Sequence, residues 1–152
     1  MHKTIIRSGI ASLALVAFLA TASVGFAQTL SFRASLSGGG EYPVNDSKGT
    51  GMLNATYNPS TKLLTWTLTY SGLSGSALLA HFHGPVAYVG TTPEKNAPVT
   101  LPVKSSLNSP IKGSATLTDK QAEQFTKGLW YFNIHTAKHP DGEIRGQVLR
   151  SE

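Results

Sequence analysis

From Leu63 to Tyr70 the chain reads LLTWTLTY, and this strict two-residue alternation limits the fold more than any other feature. In an extended chain successive side chains point to opposite faces. Leu64, Trp66, Leu68 and Tyr70 therefore share one face, and Leu63, Thr65, Thr67 and Thr69 the other. On a helix the same residues would scatter around the axis. The pattern recurs at Thr29–Leu36, Gly51–Tyr57, Leu78–Gly84, the short run PVTLPV, Ile111–Leu117, Trp130–Thr136 and Glu143–Leu149. NPSTK joins two of these runs as a hairpin, and Pro140-Asp141-Gly142 makes a tight turn before the last. One segment differs. In LTDKQAEQFTKGL, Thr118 can cap a first turn, Gln121 can reciprocate three residues on, and Gly128 supplies a left-handed stop. The expectation is an all-β chain: an antiparallel Greek-key sandwich or barrel of about eight strands with one short helix at about 118–127.

Residues 1–27 stand apart from this pattern. A basic start (Lys3, Arg7), an apolar run from about Ile10 to Leu19 and small residues ending in Gly25-Phe26-Ala27 follow the plan of a secretory signal. Cleavage after Ala27 would leave residues 28–152 as a single domain, exported to the periplasm or beyond, with no membrane segment after cleavage. It would lower the formal charge from +5 to +3, because the leader carries two bases and no acid. The remaining bases are scattered, which argues against a nucleic-acid partner. The chain has no cysteine, so any metal ligands must come from His, Asp, Glu, Met or backbone.

AHFHGP, at residues 80–85, carries two of the five histidines. Alternation puts His81 and His83 on one face and Ala80 and Phe82 on the other. In WYFNIHT the same rule sets Tyr131, Asn133 and His135 opposite Phe132 and Ile134. If the two strands were neighbours, cross-strand partners would stand about 5 Å apart, and three imidazoles could converge on one ion. Copper is favoured and zinc is the second candidate. His139 is a candidate fourth ligand, although its turn position favours exposure to solvent. In GEIRGQV, Glu143, Arg145 and Gln147 share a face. If that strand adjoins, they are candidates for the groups that orient the imidazoles, with Arg145 as a donor or anion guide.

AHFHGP, then GSATLTDKQAEQFTKGLWYFNIHTAKHPDGEIRGQV, together with the opening ASLSGGGEYPV and GTGMLNATYNPSTKLLTWTLTYSGLSG, resemble the CHRD domain. This is the module named after the chordin proteins and also found alone in secreted bacterial proteins. The resemblance runs from about Leu30 to Val148. It implies the fold and export, and it carries His81, His83 and His135 as the histidines of the family pattern. The turn holding His139 usually has another residue there. In chordin the modules belong to an extracellular antagonist that binds growth factors.

Two functions follow as expectations. One is a transition-metal site of His81, His83 and His135 beneath the loop Pro85–Pro98. Its layout is similar to that of the copper–zinc superoxide dismutases, but the chain has no second ligand cluster. The other is a non-catalytic module for an extracellular protein or polysaccharide, with structural histidines and with Tyr42, Tyr88 and the SGGGEYPVNDSKG segment as contact residues. No GxSxG elbow or HExxH pair signals a hydrolase, and no reaction is assigned.

Overall fold

The computed structural model describes residues 28–86 and 95–151; the expected leader at 1–27 and Tyr88 lie outside them. The alternating segments form β1 (Leu30–Ser37), β2 (Thr50–Asn58), β3 (Leu63–Ser71), β4 (Leu79–His83), β5 (Val99–Pro102), β6 (Ile111–Thr116), β7 (Tyr131–His135) and β8 (Ile144–Gln147). A two-residue strand, β9 (Leu149–Arg150), runs beside β1. Every pairing is antiparallel, and the order across the sheet is β5-β4-β7-β8-β1-β2-β3-β6. The strands make one curled sheet that wraps its apolar face around a core, as the alternation requires.

Phe32, Leu36, Leu53, Leu64, Leu68, Phe82, Phe132, Ile134 and Ile144 fill that core. Phe82 lies at its centre, edge-on to Phe132 at 4.7 Å and to Trp66 at 5.1 Å between ring centroids. Tyr70, the last member of the opening alternation, is half-buried, and its hydroxyl donates to the Leu107 carbonyl at 2.7 Å.

The single α-helix of the described residues, α1, spans Asp119–Thr126, and its capping box is formed as expected. Thr118 Oγ1 accepts from the Gln121 backbone N–H, and Gln121 Oε1 accepts from the Thr118 backbone N–H at 2.9 Å. Gly128 ends the helical segment at φ +69°. Phe125 is the helix residue that enters the core, 4.5 Å from the Phe32 ring and 5.4 Å from Trp130.

β7 fixes the position of the site. It lies between β4 and β8 and is buried along its whole length, on both faces. Phe132 and Ile134 face the core, and Tyr131, Asn133 and His135 face the other way. That second face is covered by two stretches of loop, Gly40–Asn45 and Lys95–Ala97. The SGGGEYPVNDSKG segment is therefore partly packed: Gly38 and Glu41 are buried, while Tyr42 and Val44 stay exposed.

Candidate metal centre

β4 and β7 are direct neighbours, with His81 opposite Asn133, His83 opposite Tyr131 and Leu79 opposite His135. His135 therefore sits diagonally to His81, within reach of an imidazole. The ring centroids of His81 and His83 are 5.4 Å apart, those of His81 and His135 5.1 Å, and those of His83 and His135 6.3 Å. One ring nitrogen from each lies within 4.8 Å of the others. His83 and His135 are buried, and His81 forms the half-exposed side of the cluster.

Backbone carbonyls set the chemistry of two of these rings. His83 Nδ1 is 2.8 Å from the Ala97 carbonyl, and His135 Nδ1 is 2.9 Å from the Pro140 carbonyl. A carbonyl only accepts, so each Nδ1 carries a proton, and in the neutral ring Nε2 then presents a bare lone pair. His83 Nε2 is buried without a hydrogen-bond partner. His135 Nε2 is 3.3 Å from His81 Nδ1. Burial, then the neighbouring His135 and His83, push His81 down to about 4. Burial is also the main cause of the lowered pKa of His83. At neutral pH these two imidazoles are therefore uncharged, the form that ligates metal.

The neighbouring strand adds a cation but only part of the expected support. Arg145 is paired across the sheet with Asn133. Its guanidinium lies 3.4 Å over the Tyr131 ring and donates to Asn96 Oδ1 at 3.1 Å. Tyr131 in turn stacks on His83, and its hydroxyl accepts from the Ala97 N–H at 3.2 Å. Arg145 thus reaches the histidines through an aromatic ring. Gln147 Nε2 donates to the Gly128 carbonyl at 2.7 Å and anchors the chain near the helix end.

Glu143 turns away from the imidazoles. Its carboxylate accepts from Thr136 Oγ1 at 2.5 Å, from Ser47 Oγ at 2.7 Å, and from the Ser74 N–H and Oγ at 2.6 and 2.7 Å. Burial alone would raise its pKa, but these bonds outweigh it and hold the group down at about 2. His139 is outside the three-histidine group. It lines a cleft of about 180 Å³ between residues 41–45 and 138–142, and its Nε2 is buried without a partner.

Two residues at the centre were given no role by the sequence. Asn133 Oδ1 is 3.1 Å from His135 Nε2. Alternation placed Asn133 on this face and it opens the NIHT run, but neither signal gave it a role. Glu41 comes from the loop after β1 and is 2 % exposed. Burial pushes its carboxyl up to about 7 against the pull of Arg145 and hydrogen bonds from Asn133 and the Tyr42 backbone. No local signal could have singled out an acid in a polar loop.

The fold and the cluster define an all-β module with a three-histidine face, two of its rings buried and one half-exposed. The CHRD domain family model matches residues 32–148, and the chain belongs to that family. Comparison with curated proteins and with solved structures found no match. Among the described residues no helix is long and apolar enough to cross a membrane.

Proposed function

We propose that this protein is an exported module that binds one transition-metal ion through His81, His83 and His135, with copper preferred over zinc. The observation that carries the reading is the pair of carbonyls, Ala97 and Pro140, that fix the proton of His83 and His135 on Nδ1 and turn both Nε2 lone pairs inward. Convergent lone pairs on buried rings repel one another until a cation lies between them. Imidazole suits both metals, and in the general affinity order Cu²⁺ binds more tightly than Zn²⁺. Family membership supports an extracellular module, and the basic-then-apolar start of the chain supports export.

The same two bonds also tie Ala97 and Pro140 to the sheet, which favours a second reading: an interaction module whose histidines only anchor loops. The two readings differ in what happens at Nε2. Calorimetric titration of the purified protein with Cu²⁺ and Zn²⁺ separates them. One equivalent should bind, and His81→Ala, His83→Ala and His135→Ala should each weaken binding tenfold or more. Binding indifferent to all three substitutions would leave the loop-anchor reading in place, and a protein or polysaccharide partner would be sought instead.

A further inference from the structure

We propose that Asn133 supplies a fourth ligand, its amide oxygen, and that Glu41 is the positioning residue that aims it. The inference rests on the three-histidine reading above and extends it to a four-coordinate site of three nitrogens and one oxygen.

The spacing is the first argument. For bonds of about 2.0–2.1 Å, ligand atoms in a tetrahedral site stand about 3.3–3.4 Å apart. His81 Nδ1 and His135 Nε2 are 3.3 Å apart, and Asn133 Oδ1 and His135 Nε2 are 3.1 Å apart. Two edges of such a site are therefore already close to length, and His83 is the ring that has to move inward.

The second argument is chemical. His135 donates its Nδ1–H to the Pro140 carbonyl, so in the neutral ring its Nε2 is an acceptor. Asn133 Oδ1 is an acceptor as well. Two acceptors held 3.1 Å apart in a buried place are unfavourable unless a proton or a cation joins them. The His81 side chain can satisfy only one of the two. A metal ion satisfies both.

What keeps the amide from flipping is Glu41. Its buried carboxyl lies beside the Asn133 side chain, and one of its oxygens has no hydrogen-bond partner; of the two amide atoms only the nitrogen can donate to it, which turns the oxygen toward the imidazoles. Either protonation state of the acid keeps an acceptor oxygen for that bond. Gly142 leaves room for this arrangement, because a side chain there would land on the Glu41 carboxyl. An amide oxygen adds no charge, so all four ligands are neutral and the bound ion keeps its full charge.

Titration with Co²⁺ tests the assignment, since its visible absorption is intense in four-coordinate sites and weak in six-coordinate ones. The wild type should give a saturating four-coordinate spectrum. Asn133→Ala should weaken Co²⁺ tenfold or more and lose band intensity. Asn133→Asp, which keeps an oxygen in place and adds a negative charge, should retain binding and shift the bands. Glu41→Leu, which keeps the bulk and removes the acceptor, should weaken Co²⁺ about tenfold, while Glu41→Gln, which keeps an acceptor oxygen, should leave it unchanged, with circular dichroism showing an intact fold in both. If the histidine variants abolish binding while Asn133→Ala and Asn133→Asp leave affinity and spectrum unchanged, the fourth ligand is wrong and the three-histidine site stands. If the histidine variants change nothing, or the wild type takes up no Co²⁺, both proposals fall.

Discussion

His83 stacks flat on Tyr131, with ring centroids 4.8 Å apart and planes within 2° of parallel. Strand order places His83 on the β4 side of Tyr131 and Arg145 on the β8 side, so the phenol ring is held between an imidazole and a guanidinium. Tyr131→Phe keeps the stack and removes only the bond from the Ala97 N–H. It should cost about 1 kcal/mol and leave metal affinity unchanged. Tyr131→Leu removes the plane that orients His83 and should weaken metal binding about tenfold. Denaturation and calorimetry on the two variants check this. Equal metal affinities would show that the stack does not position His83.

Glu41 makes stability depend on pH. Its folded-state pKa of about 7 stands above the ordinary 4.5, so folding favours the protonated acid. Its stabilising contribution is complete below the unfolded value and is lost as pH rises through the folded one. Between about pH 4.5 and 7.5 the wild type should lose on the order of 3 kcal/mol relative to Glu41→Gln. Urea denaturation across that range measures it, and parallel stability curves for the two proteins would contradict the assignment.

Glu143 behaves in the opposite sense. Its pKa of about 2 lies below the ordinary value, so its contribution is present above about pH 4.5 and is lost as pH falls toward 2. Glu143→Gln exchanges a charged acceptor of four hydrogen bonds for a neutral one and should cost about 2–3 kcal/mol at pH 7. Metal affinity should not change, because the carboxylate faces Ser47, Ser74 and Thr136 rather than the imidazoles. A metal-binding defect at full stability would reassign Glu143 to the site.

Gly142 sits at φ +132°, where residues with side chains rarely go. A Cβ there would also meet the Glu41 carboxyl. Gly142→Ala should cost about 2–3 kcal/mol and weaken metal binding by displacing Glu41. An unchanged thermal midpoint would show that the turn can relax around the extra methyl group.

Much of this arrangement was legible in the sequence. The period of two sorted Phe82 from His81 and His83, and Phe132 and Ile134 from Asn133 and His135, because a strand has no other way to present consecutive side chains. Thr118 and Gln121 declared the helix start, since a capping box is satisfied within four residues. The residues matching the CHRD pattern, AHFHGP and NIHT above all, marked which histidines to watch. The alternation and the cap are local relationships, fixed by bond geometry within a few residues.

What the sequence could not reach is set by distance along the chain. That His135 lies diagonal to His81 follows from the register of β4 on β7, 54 residues away. Alternation alone put Glu143 beside Arg145 and Gln147 on the histidine strand's neighbour. The serines at 47 and 74 claimed its carboxylate, because a buried charge goes wherever donors surround it. Glu41 and Asn133 became partners only once the loop after β1 folded across β7. The chain therefore determined by itself which face each residue within a strand would take. Tertiary structure alone decided which faces meet, because only strand register and loop packing bring donors and acceptors from distant segments within hydrogen-bonding distance.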